Sequence, residues 1–109
     1  MAAPILNIST YKFVPIEHPE ALRWPLLGNA QAHHLKGTIL LAEEGINLFL
    51  AGSEAGVRGF VDYLRADARF SDLAPKESWS EVVPFHRLLV KVKPEIIRMN
   101  QPAIRPEAG

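Results

Sequence analysis

The apolar positions of this 109-residue chain change period several times along its length, and each change marks a predicted element. Ile5 to Val14 reads as a first strand, where Ile8, Tyr11 and Phe13 supply β-favouring bulk. Pro15 ends it, because proline has no N–H for a sheet ladder. A helix is predicted from Pro19 to about Leu35: proline suits a first helical turn, and Leu22, Leu26, Ala30 and His33 fall on one stripe. Pro25 must then sit in the first turn or bend that helix. After Gly37, Thr38 to Ala42 is apolar at nearly every position, as a buried strand would be. Glu43-Glu44-Gly45 separates it from a second apolar run, Ile46 to Ala51, which predicts a β-hairpin. Gly52 closes the run. Ser53 can cap the next helix, Glu54 puts negative charge in its first turn, and Val57, Phe60, Val61 and Leu64 follow at i, i+3, i+4 and i+7.

Asp67 to Lys76 is a loop by composition, and a strand is predicted around Glu77 to Val82. Arg87 to Lys93 alternates cleanly, with Leu88, Val90 and Val92 on one side and Arg87, Lys91 and Lys93 on the other. Residues 1–99 therefore read as one domain, and Asn100 to Gly109, with two prolines and no periodicity, as a linker. The order predicts an α+β, ferredoxin-like βαββαβ sandwich: an antiparallel sheet with two helices on one face, plus an extra strand. The second face has no helix left to cover it, so function is sought there.

Composition changes this picture in three ways. The apolar share of 48% supports a packed core, and no run approaches the roughly 20 residues of a membrane helix. With no signal-like start, the chain reads as cytoplasmic with no membrane association. The absence of cysteine excludes disulfides, thiolate nucleophiles and Cys-ligated metals within these residues. Net charge is zero, yet from Pro84 onward five basic residues (Arg87, Lys91, Lys93, Arg98, Arg105) face two acidic ones, leaving +3 at that end and −3 before it.

Few motifs carry chemistry. His33 and His34 are adjacent and diverge on a helix, while His18 and His86 stand alone, so no metal and no cofactor are predicted. Glu43 and Glu44 could be offered as an acid/base pair, but consecutive residues face opposite ways and a turn is exposed, so both read as solvated carboxylates. Gly45 reads as the residue that permits positive φ in the bend. Asn47, an amide among apolar neighbours, either pins the hairpin or reaches a ligand on the open face. Gly52, Gly56 and Gly59 match no phosphate-binding loop and read as close helix packing. Arg87, Lys91 and Lys93, with Arg98 and Arg105 following, could track the phosphates of a nucleic acid. A solvent-facing edge strand protected by lysines fits the same residues, and no interleaved aromatics support base stacking.

Several stretches together resemble one family. They are Tyr11-Lys12-Phe13, the string from Gly37 to Asn47 (GTILLAEEGIN), and Pro84 to Lys93 followed by Glu95-Ile96-Ile97. The chain is similar along about its whole length to the N-terminal domain of the rhodanese-like, oxygen-dependent tRNA uridine hydroxylases. The resemblance implies an acylphosphatase-like fold and a rhodanese domain downstream in cis, carrying the reactive cysteine this chain lacks. It implies oxidative tRNA modification by the full-length protein, with tRNA as partner and no catalytic residue within this domain. A tRNA-positioning role for Arg87, Lys91, Lys93, Arg98 and Arg105 is the expectation. The alternative is a docking or dimerisation domain of a rhodanese-type sulfurtransferase, self-associating or packing through Phe49 and Trp79. Acylphosphatase activity is not expected, because Val14 to Pro19 has no glycine and carries Glu17.

Overall fold

A computed structural model describes residues 4–94. Its elements run β1 (Ile5–Phe13), α1 (Pro19–Ala32), β2 (Lys36–Ala42), β3 (Gly45–Gly52), α2 (Glu54–Arg65), β4 (Lys76–Ser80) and β5 (Leu88–Val92), with a short 3-10 turn at Ala68–Phe70. The sheet order is β4-β1-β3-β2-β5. The first four strands form the antiparallel ferredoxin-like arrangement, whereas β5 pairs with β2 in parallel, so the five-stranded sheet is mixed.

Local chemistry explains most boundaries. Ser53 caps α2, its Oγ accepting from the Gly56 N–H at 3.0 Å. Helix α1 runs through Pro25 and ends three residues before the predicted limit. The end is a Schellman motif: the Leu35 N–H donates to the Ala30 carbonyl at 3.0 Å and the His34 N–H to that of Gln31 at 2.9 Å. His34 therefore adopts φ 59°, a left-handed conformation more usual for glycine.

The core lies between the sheet and the two helices. Leu6 and Ile8 of β1, Ile39 and Leu41 of β2, Leu48 and Leu50 of β3 and Val90 of β5 meet Leu26 and Ala30 of α1 and Val57, Phe60 and Leu64 of α2. Close approach explains the glycines of α2: a β-carbon on Gly56 would lie 2.6 Å from the His33 carbonyl oxygen, and one on Gly59 within 2.7 Å of the His33 ring. Below the sheet, Lys12 Nζ donates to the Arg69 carbonyl at 2.8 Å and pairs with Asp72, while Arg69 Nη2 holds Asp67 at 2.6 Å. These contacts fix the segment between α2 and β4.

Strands β4 and β5 lie on opposite edges, so residues 81–87 must cross the sheet. Four inter-strand spacings come to ~19 Å, within the roughly 25 Å that seven extended residues reach. The Phe85 ring lies 6.2 Å from that of Phe49, which places this strap over the face without helices. That face is partly covered by the chain itself.

Candidate nucleic-acid interface

Cross-strand pairing sorts the side chains of the face without helices into rows, since directly paired residues share a face. One row runs Tyr11, Asn47, Leu40, Lys91 across β1, β3, β2 and β5. The next, toward the β2–β3 turn, runs Phe13, Gly45, Ala42, and the Lys93 N–H continues the ladder to the Leu41 carbonyl at 2.7 Å. At the other end the Gly37 N–H donates to the Arg87 carbonyl at 2.8 Å, which sets Arg87 beside Lys36.

The sheet thus brings Arg87, Lys91 and Lys93 into a single exposed column along one edge, on the parity opposite buried Val90. From Arg87 to Lys93 the column measures ~20 Å. Among the described residues none of the three joins an ion pair. All three side chains are exposed to solvent. Arg98 and Arg105 lie outside the described residues, as does the segment read as a linker.

Pairing adds residues that the linear pattern did not. Lys36 is exposed and belongs to the same basic edge, because β5 is parallel to β2. Tyr11 and Phe13, 41% and 54% exposed, form an edge-to-face pair with centroids 5.9 Å apart on that face. Aromatics absent from the basic strand are therefore supplied by β1, three positions away in the sheet. Alternation within β1 placed them on one face; only the sheet order shows that the face is shared with Lys91.

The hairpin residues have structural roles. Gly45 has φ 155°, and a β-carbon there would come 2.0 Å from the Lys12 carbonyl oxygen, so the turn admits only glycine. The carbonyls of Glu43 and Glu44 accept from the Ile16 and Val14 N–H groups, both at 2.9 Å, while both carboxylate residues are exposed. Pro15 has no N–H and both its neighbours donate to the hairpin, so residues 14–16 of the loop after β1 offer no amide to a phosphate. Asn47 is 2% exposed, and its Nδ2 makes no hydrogen bond among the described residues, so no such bond pins the hairpin.

Of the two anchors expected on the open face, Phe49 lies there but is partly covered by Phe85, whereas Trp79 pairs with Leu6, which puts it on the helix side of the outer edge. Among the described residues, no three His, Cys, Asp or Glu side chains converge as metal ligands would, and no helix is long and apolar enough to cross a membrane.

This geometry defines the class: an acylphosphatase-like, ferredoxin-type domain with an added parallel strand. Solved structures share that fold at low identity. "BlrP1 BLUF" matches with a TM-score of 0.67 at 15% identity over 84% of this chain and 66% of that one. The acylphosphatase from Bacillus subtilis matches with a TM-score of 0.53 at 15% identity over 83% and 98%. The chain belongs to the family described as the UPF0176 acylphosphatase like domain, which it matches over residues 5–96. It is 67% identical over 105 residues to a protein of Delftia acidovorans named "tRNA uridine(34) hydroxylase". That alignment takes in 96% of this chain but 40% of the relative's length.

Proposed function

We propose that this domain positions tRNA for an oxygen-dependent uridine hydroxylase. In this reading the oxidation is carried out by a rhodanese-type domain downstream in cis, and the protein works in the cytoplasm. The Delftia relative's name and the 67% identity support the substrate, and the 40% coverage leaves room for the chemistry outside this domain. The observation that carries the positioning role is the exposed, unpaired column of Arg87, Lys91 and Lys93. Such cations hold phosphates without reading sequence, which suits a domain that orients a substrate for another.

Fluorescence anisotropy of labelled tRNA with this chain, across salt concentrations, tests it. Arg87, Lys91, Lys93 and Lys36 together give a log–log salt slope of about −3, between the single-strand and duplex values for four phosphate contacts. The K91E/K93E variant should bind at least ~10-fold more weakly at low salt and lower that slope by more than 1. Unchanged affinity and slope would refute the reading. Docking to a neighbouring domain draws support from exposed Tyr11 and Phe13. Protection of those two rings in a longer relative, with tRNA affinity unaffected by K91E/K93E, would favour it instead.

A further inference from the structure

We propose that His34, Lys36, His86 and Arg87 form a seat for one phosphate group, occupied in this protein's work by a backbone phosphate of RNA. The choice of RNA rests on the reading above; the seat itself rests on geometry. A cavity of about 410 Å³ opens where α1 ends and where β2 and β5 begin. Those four side chains and Gln31 supply its polar lining and Leu35 and Leu88 its apolar wall, and among the described residues no carboxylate contributes.

Two local penalties converge on this cavity. Lys36 and Arg87 sit side by side on adjacent strands, one step before the Gly37–Leu88 pair, and neither has an ion-pair partner among the described residues. Like charges directly opposite in a sheet repel, and an anion between them removes the repulsion. His34 carries a β-carbon in the left-handed region at φ 59°, where glycine would be unstrained. Strain of this kind points from an observed outlier to a functional constraint. Here it directs an imidazole toward the same cations. The Schellman bonds engage the Ala30 and Gln31 carbonyls, which blunts the negative end of α1 next to the anion.

The four groups also suit the ligand. A guanidinium offers a planar fork for two phosphate oxygens, an ammonium a point charge, and each imidazole an N–H donor. His34 is delivered by the helix cap, Lys36 by the first residue of β2, and His86 and Arg87 by the end of the strap. Two stretches far apart in sequence, 31–36 and 86–88, therefore meet at one anion site.

Amide and imidazole NMR signals of the labelled chain, titrated with inorganic phosphate, with oligouridylate and with chloride at equal ionic strength, test the seat. The expected result is saturable shifts at residues 34–37 and 86–88 with phosphate and with oligouridylate, and none with chloride. K36A/R87A should weaken phosphate binding at least ~10-fold and K91A/K93A less than ~2-fold; all four side chains are exposed, so the fold is retained. Shifts shared with chloride, or phosphate binding indifferent to K36A/R87A, would overturn the proposal. Phosphate binding at the seat without oligouridylate binding would overturn the RNA assignment and leave a small phosphate monoester as occupant. If tRNA binds with the seat unshifted, the seat fails while the positioning reading survives. If the seat binds phosphate and oligouridylate while tRNA affinity ignores Lys91 and Lys93, the seat stands and the column reading fails.

Discussion

Replacing His34 with glycine should make the domain more stable and weaken its hold on phosphate. The imidazole occupies the C′ position of α1 at φ 59°, with the Leu35 N–H bonded to the Ala30 carbonyl and the His34 N–H to that of Gln31. A β-carbon in that conformation costs ~1–2 kcal/mol. Glycine returns ~0.5–1 kcal/mol of this through its greater freedom in the unfolded chain. The net gain is therefore about 0.5–1 kcal/mol, which raises Tm by about 2–6 °C in a domain of this size. His34 is exposed, so no buried contact is lost in exchange. Thermal melts and urea titrations at constant m-value would measure the change. H34A, which keeps the β-carbon, should show no gain and serves as the control. If H34G melted at or below the parent temperature with H34A unchanged, the strain assigned to this residue would be absent.

Three further outcomes follow from contacts elsewhere. Gly56→Ala should cost ~1–3 kcal/mol by overpacking against the His33 carbonyl, whereas Gly28→Ala, in mid-helix with nothing within 4 Å of the new carbon, should gain ~0.5–1 kcal/mol; paired chemical denaturation would read both. The Arg69 hydrogen bond holds the Asp67 carboxyl below its ordinary range, and the Lys12 hydrogen bond does the same for Asp72. Depressed carboxyl values add stability that is present above the unfolded value near 4 and lost as pH falls through the folded values, so melts between pH 5 and about 2 should decline less in the D67N/D72N variant. Phe85→Ala removes an aromatic pair worth ~0.5–1.5 kcal/mol and should speed amide exchange across 81–87 while leaving β1 and β3 protected; equal exchange in parent and variant would show that this ring does not hold the strap.

Local signals made most elements legible. Helix α2 was readable because a capping serine, an acidic first turn and an i, i+3, i+4, i+7 apolar stripe agree, and its observed bounds follow the cap. The hairpin was readable because two apolar runs flank a glycine that the turn cannot replace. Helix α1 was less clear, as Pro25 interrupts its ladder and its end depends on a cap residue, His34, that carries no glycine signature. What could not be read was non-local. Alternation gave β5 its two faces, but not its parallel partner on the far edge, and the strap over Phe49 follows only from that pairing. The basic residues were visible; that Lys36 lies beside Arg87 was not, because it depends on the parallel pairing of β5 with β2.

That same pairing explains where an anion can bind on this fold. At the turn end of the sheet, the backbone donors of Val14 and Ile16 serve the Glu43 and Glu44 carbonyls, and two exposed carboxylate residues stand beside them. A phosphate brought there would meet occupied amides and like charge. At the opposite end the added strand sets Arg87 against Lys36, and the helix cap adds His34. Lys91 and Lys93 extend the positive edge from that corner along β5. Positive potential is therefore arranged along the added strand and not at the loop following β1. A ligand held by it must be extended and multiply charged to use more than the corner, which is a property of a nucleic-acid backbone and not of a small acyl phosphate.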